Sequence, residues 1–208
     1  MAPNNLLRFV TFSLVLTVSL ALFPISAYAD PAGNNNNNPS TFTSLASFTQ
    51  SVTDGENAIT GVFVNYLFAF PVTQQPAKNF NFISGNDNVV TQFKLAAEYE
   101  NIGLLAHDYL AGKYFFKLTN GQSVYLVYGT GRVEAFLVTQ VYQYQALDPN
   151  NPSSNLKDLE TGKVYTAQQV FRLMYMGEHH IAFQTCIEKN GNLSWGRLFI
   201  IAEPVQPR

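Results

Sequence analysis

Cysteine is nearly missing from this 208-residue sequence: Cys186 is the single one. A lone cysteine excludes an intramolecular disulfide, so in an exported chain the thiol is either buried and inert or kept for chemistry. Charge is scarce as well. Charged residues make up 12% of the chain and the net charge is −2, with no basic stripe and no arginine cluster, which argues against a nucleic-acid partner. Histidine is limited to His107, His179 and His180, and helical periodicity is sparse. No internal repeat is evident, and no second transmembrane stretch follows the N-terminal one.

That N-terminal stretch has the layout of an export signal. Met1 to Arg8 carries one basic side chain, Phe9 to Phe23 is apolar with scattered Ser and Thr, and Ala27-Tyr28-Ala29 gives a small-x-small site before Asp30. The pattern predicts a secretory signal peptide over residues 1–29, cut after Ala29. The alternative is an uncleaved anchor, which would tether the chain to a membrane. The apolar run is shorter than the ~20 residues a spanning helix needs, which favours cleavage. Residues 30–55, with the asparagine run Asn34 to Asn38, read as a flexible Asn/Ser/Thr-rich spacer too polar to bury a core. Residues 56–208 then fit one domain, secreted or held on the extracytoplasmic cell surface.

Within that domain, short runs rich in Val, Ile, Phe and Tyr alternate with Gly, Asn, Asp and Pro. Strands are expected over Ile59–Phe70, Val89–Leu95, Asn101–Ala106, Ser123–Tyr128, Arg132–Tyr142, His180–Glu188 and Leu193–Ala202. Gly129-Thr130-Gly131 and Asn190-Gly191 have hairpin-turn chemistry. Thr166–Met176 is the best helix, with Thr166 as its cap, and Tyr109 to Leu118 holds one more turn. Many short strands with one or two short helices predict an all-β domain, a closed β-barrel. The polar excursion Gln145–Lys163 reads as a long loop bordering a groove.

Cys186 ends the apolar run that starts at Ile181, where a strand can hold a nucleophile rigidly beside a groove. A cysteine nucleophile wants a base or proton donor within hydrogen-bond reach. His180 shares a face with Cys186 on an extended strand but lies six residues away, roughly 20 Å at ~3.3 Å per residue. His179 points to the other face, and the same alternation keeps Glu178, His179 and His180 from converging on a metal. His107 remains, also ending an apolar strand before a glycine-containing loop. If Asn190-Gly191 is a two-residue turn, Lys189 faces Asn192, Cys186 faces Trp195 and Gln184 faces Arg197. Arg197 then stands on the cysteine's face one diagonal step away, ~7–8 Å at the backbone, within an arginine's reach. A one-residue change in the turn would send it to the opposite face.

Histidine after an early strand pair, cysteine near the end of a later strand and arginine on the next resembles the sortases. The likeness runs over most of Ile59 to Pro204. Its most specific pieces are Leu105-Ala106-His107 with Gly112 beyond, Phe115-Phe116-Lys117-Leu118 leading to Gly121-Gln122, Gln184-Thr185-Cys186, and the strand Arg197-Leu198-Phe199-Ile200-Ile201-Ala202. Papain-like peptidases place the cysteine before the histidine, and the order here is the reverse. The resemblance implies a closed eight-stranded β-barrel and a cysteine transpeptidase. Cys186 would attack a carbonyl in the sorting motif of a secreted protein to form a thioester. His107 would move the protons, and Arg197 would stabilise the oxyanion. Thr185 and Trp195 would contact the substrate. An amine of a cell-wall peptide or a protein lysine would accept the acyl group. No metal or cofactor is required, and the sequence has no tight acidic cluster for calcium. Phe183, where a smaller aliphatic is common, and Asp108, directly after the histidine, depart from the family pattern.

Two other readings stay open. One is a secreted, non-enzymatic barrel that binds peptide or glycan through aromatic side chains, its cysteine buried. The other is a plain cysteine peptidase of the same fold, in which water takes the acyl group.

Overall fold

The computed structural model describes residues 44–79 and 81–205. The expected leader at 1–29 and the asparagine run lie outside the described residues. Ten strands form among those described: β1 (Ile59–Val64), β2 (Phe68–Gln74), β3 (Val90–Phe93), β4 (Ile102–Leu105), β5 (Ser123–Tyr128), β6 (Val133–Ala146), β7 (Leu156–Asp158), β8 (Val164–Tyr165), β9 (Ile181–Lys189) and β10 (Asn192–Pro204). The helices are α1 (Leu45–Val52), α2 (Lys94–Ala97) and α3 (Ala167–Tyr175), with a 3-10 helix over Ala111–Lys117.

Eight strands close into a barrel. The ring runs β1-β2-β3-β4-β9-β10-β6-β5 and returns to β1. Closure depends on β6, which is 14 residues long and pairs with β5 through Val133–Leu137 and with β10 through Phe136–Gln145. The far end of β6 also carries the short hairpin β7–β8 outside the ring. Most neighbours are antiparallel, but β2–β3 and β4–β9 are parallel.

The strands fill the barrel by alternation. Val62 and Val64, Phe68 and Phe70, Ile102 and Leu104, Ile181 and Phe183, and Leu198 and Ile200 all point inward into one buried core. An eight-stranded ring is just wide enough to be packed solid by such side chains. Phe68 and Phe70 stack with ring centroids 4.7 Å apart, and Phe115 from the 3-10 helix meets Phe183 edge-on at 5.1 Å. Phe183, bulkier than the family resemblance anticipates, is thus the barrel-side partner of Phe115.

The outer face of β9 and β10 is covered by α3. Thr166 caps this helix, accepting from Gln169 N while Gln169 returns a bond to the Thr166 N–H, a reciprocal cap that fixes its start. Val170, Met174 and Tyr175 pack on Ala182, Phe199 and Ile201. At the other end of α3, Asn101 Nδ2 donates to Tyr175 O (3.1 Å) and His180 Nε2 lies 2.8 Å from Met174 O. His180 is therefore tied up in holding α3 against the sheet.

Three sequence expectations need correction. The expected single strand Ile59–Phe70 is a hairpin, split at Asn65-Tyr66-Leu67. Tyr66 is left-handed there (φ 59°) and 97% exposed, and no glycine or proline announces the turn. The excursion Gln145–Lys163 is a loop only in part, because Leu156–Asp158 pairs with β6. Part of the expected spacer is α1, capped by Ser44, whose side chain accepts from Ser47 N at 3.2 Å. Its Phe48 is fully buried against Phe63, with a ring separation of 5.9 Å, over Gly61. A Cβ at Gly61 would stand 2.8 Å from the Phe48 ring, so the missing side chain makes the seat. One aromatic residue among polar ones is enough to anchor this turn, which composition averaged over the spacer conceals.

Candidate active site

The site lies where β4 ends beside the paired strands β9 and β10. Parallel pairing sets Leu104 beside Phe183 and Leu105 beside Gln184. The ladder continues past β4, since Ala106 N donates to Gln184 O at 3.3 Å. The Thr185 hydroxyl then donates to Ala106 O at 2.8 Å. Continued by one more residue, this register brings His107 level with Cys186. On the other side of β9, Cys186 is paired directly with Arg197.

Leu104, Phe183 and Leu198 fill the barrel, so Leu105, Gln184 and Phe199 look outward, and alternation puts Cys186 and Arg197 on that outward face, with His107 two residues past Leu105 where β4 has ended.

Arg197 reaches its place by a different register from the one expected. After Lys189↔Asn192, β9 has Glu188 alone where β10 has Leu193, Ser194 and Trp195; pairing resumes at Ile187↔Gly196. The surplus on β10 is even, so faces are preserved, and Arg197 moves from the diagonal to directly opposite Cys186. The irregular stretch also supplies acceptors for the guanidinium: Arg197 Nη1 donates to Gly196 O (2.8 Å) and Ser194 O (3.2 Å). Trp195 does not face Cys186, as the simple turn had it. It sits in the irregular stretch with Lys189 Nζ 4.5 Å above its ring.

Thr185 also differs from expectation. It is 2% exposed with its hydroxyl committed to Ala106 O, so it ties β9 to the chain before His107 and presents nothing to a ligand. Gly112 packs against the same spot. Its N–H donates to His107 O at 2.9 Å, and a Cβ there would overlap Thr185 Oγ1 and stand 2.6 Å from His107 O. The His107-to-Gly112 spacing picked out in the sequence therefore closes a loop that fixes the backbone of His107.

Cys186 is free and partly exposed. Burial pushes its thiol above the ordinary value, the Arg197 guanidinium pulls it down, and the Asp108 carboxylate adds to the rise. Asp108, the departure from the family pattern noted in the sequence, thus acts on the thiol. The His107 ring stacks on Tyr109, with centroids 5.3 Å apart and planes 22° from parallel. Among the described residues, no hydrogen bond joins it to Cys186.

A groove of about 340 Å³ runs beside this row. Phe93, Leu156, Val170, Phe171, Tyr175 and Phe199 form its apolar walls, Gln184 and Arg197 lie in it, and Pro152 and Gln168 border it. Pro152 and Leu156 belong to the excursion Gln145–Lys163, which does flank the groove. A separate cavity of about 350 Å³ lies by Glu178, His179, His180 and Glu203, at the opposite end of β9 from Cys186. Among the described residues, no group of three His, Cys, Asp or Glu side chains is arranged to hold a metal ion. No described helix is long and apolar enough to cross a membrane.

No protein-family model matches the sequence, and no curated protein matches it either. Solved structures with a similar arrangement include sortases. Sortase A of Listeria monocytogenes is 14% identical, with 72% of this chain and 88% of that chain covered and a TM-score of 0.45. The pilus-related sortase C of Group B Streptococcus is 14% identical over 74% and 70% of the two chains, at 0.46. A Clostridium perfringens sortase C, solved with the C-terminal cell wall sorting motif, is 12% identical over 77% and 83%, at 0.43. In fold, the chain is an all-β, closed eight-stranded barrel that resembles the sortases.

Proposed function

We propose that this chain is a secreted or cell-surface cysteine transpeptidase that cleaves a motif in secreted proteins and passes the acyl group to an amine. The observation that carries the reading is the direct pairing of Cys186 with Arg197, which lines an apolar groove, on the strand whose other neighbour, β4, leads into His107. Burial keeps the thiol protonated at neutral pH, so attack on a peptide carbonyl requires the proton to leave as the S–C bond forms. His107 is the acceptor in reach once its ring leaves Tyr109. The guanidinium of Arg197 faces the carbonyl oxygen as it becomes an oxyanion. The C–N bond then breaks, the proton passes from His107 to the departing amine, and a thioester remains. An incoming amine, from a cell-wall peptide or a protein lysine, attacks the thioester and gives its proton to His107. The new amide leaves as the thiol is restored. Water in the amine's place makes the same site a hydrolase.

The test is intact-mass detection of a thioester on Cys186 after incubation with candidate motif peptides, followed by its partition between an added amine and water. Resolution by the amine in preference to water supports a transpeptidase. The stacking of His107 on Tyr109, with no hydrogen bond to Cys186 among the described residues, favours a second reading: a binding barrel with an inert thiol. A folded chain whose Cys186 resists electrophiles until denatured would select that reading.

A further inference from the structure

We propose that Gln184 makes the groove selective for a peptide that places an acceptor side chain about two residues from the bond that Cys186 attacks. The inference rests on the transpeptidase reading above. Gln184 and Cys186 lie two apart on β9 and share its outer face, which separates them by roughly 7 Å along the strand. An extended peptide over that face spans the same distance in about two residues.

The amide of Gln184 is oriented by the wall of the groove. The Tyr175 hydroxyl donates to Gln184 Oε1. Tyr175 is 2% exposed, and burial pushes its hydroxyl far above the ordinary value, so it keeps its proton and needs an acceptor for it. Turning the amide over would set its N–H groups against that hydroxyl and leave the phenol proton unsatisfied. Oε1 is therefore committed to Tyr175, and the NH₂ group is directed away from it. No protein acceptor takes that NH₂ among the described residues, and Gln184 is partly exposed in the groove.

The surroundings sharpen the demand. Phe93, Phe171, Tyr175 and Phe199 around Gln184 are aromatic, and Arg197 Nη1 is already engaged by Gly196 O and Ser194 O. A peptide covering Gln184 strips water from an N–H donor that no described protein acceptor takes. A side chain carrying a carbonyl or hydroxyl oxygen restores the bond; an aliphatic one leaves the donor bare.

The experiment uses the full chain and a pool of short peptides randomised in sequence. The reaction is acid-quenched, and the acyl groups carried on Cys186 are sequenced by mass spectrometry. Asn, Gln, Asp, Glu, Ser or Thr should be enriched by about tenfold at a single position two residues from the acylated carbonyl. Gln184→Met, which keeps the length and loses the donor, should still become acylated but without that enrichment. Tyr175→Phe, which frees the amide to turn, should admit donor side chains at the same position. Enrichment unchanged in Gln184→Met overturns the proposal. So does a uniform slowing over the whole pool, which would assign the donor to a peptide backbone carbonyl. Acylation of the wild-type chain with no preference there also removes this inference but leaves the transpeptidase reading standing. No acylation at all removes both.

Discussion

Arg197 is the direct cross-strand partner of Cys186, and it holds that position because β10 absorbs Leu193, Ser194 and Trp195 against Glu188 alone. The same irregularity provides the carbonyls of Ser194 and Gly196 that grip its guanidinium. Arg197→Lys keeps the charge and loses the planar fork. It should lower the rate of thioester formation by roughly 10²-fold or more while leaving the melting temperature nearly unchanged. Stopped acylation kinetics on motif peptides check this; a near-normal rate would make Arg197 a surface residue.

Cys186→Ala should abolish acyl transfer with a stability change of about 1 kcal/mol or less, because the partly exposed thiol has little packing to lose. Activity assay and thermal melting of the same preparation decide it, and retained turnover would end the mechanism.

The thiol sets a pH signature. Its folded-state value lies above the ordinary 9.0, chiefly through burial, with Asp108 adding to the rise and Arg197 opposing it. Alkylation of the folded chain should therefore rise with an inflection above that of a free thiol. Asp108→Asn should move the inflection down, and Arg197→Gln should move it up. Because the folded chain holds this proton more tightly than the unfolded one, the linked stability is intact below the ordinary thiol value. It is lost as pH climbs from there through the raised value. Alkylation rates and melting measured across alkaline pH, with Cys186→Ala as the reference, test both signs.

Thr185 and Gly112 hold the backbone of His107. Thr185→Val keeps the shape but leaves Ala106 O without its hydroxyl donor, and should cost about 1–3 kcal/mol. Gly112→Ala forces a Cβ into Thr185 Oγ1 and toward His107 O, and should cost about 1–3 kcal/mol while slowing acylation by displacing the imidazole. Chemical denaturation beside acylation rates separates the two effects. If Gly112→Ala is as stable and as fast as the wild type, the loop does not position His107.

Phe48 fastens α1 to the barrel through Phe63 and Gly61. Phe48→Ala should destabilise the domain by about 3–5 kcal/mol, without altering the pH profile of Cys186 alkylation. Equal stability of the variant would show that α1 is not part of the folded unit.

Much of the barrel could be read along the chain. Two-residue alternation in Ile181 to Phe183 and Leu198 to Ala202, and the capping signal Thr166 with Gln169, are local patterns, and strands and helix stand where they predict. The hairpin at Asn190-Gly191 is equally local: both residues are left-handed, at φ 54° and 77°. Tyr66 shows the limit, since its left-handed turn has neither glycine nor proline to mark it. Residue type and strand position place Cys186 and Arg197 on one face, but the local turn pattern sets Gln184, not Cys186, opposite Arg197. Register sums over every residue between two points, so the even surplus in β10 was invisible locally, and only parity preserved the face.

By itself, the sequence determined which residues alternate inward along the strands and where the main hairpin turns, because those depend on neighbours one to four positions away. The tertiary structure alone decided that β4 lies parallel to β9, which ties Ala106 to Thr185, each one residue short of His107 and Cys186, across 79 residues of chain. It also turned Thr185 from a substrate contact into a buried tie, and set Tyr175 against Gln184. These outcomes follow from barrel closure, which fixes every register at once, and no single segment of the chain contains that information.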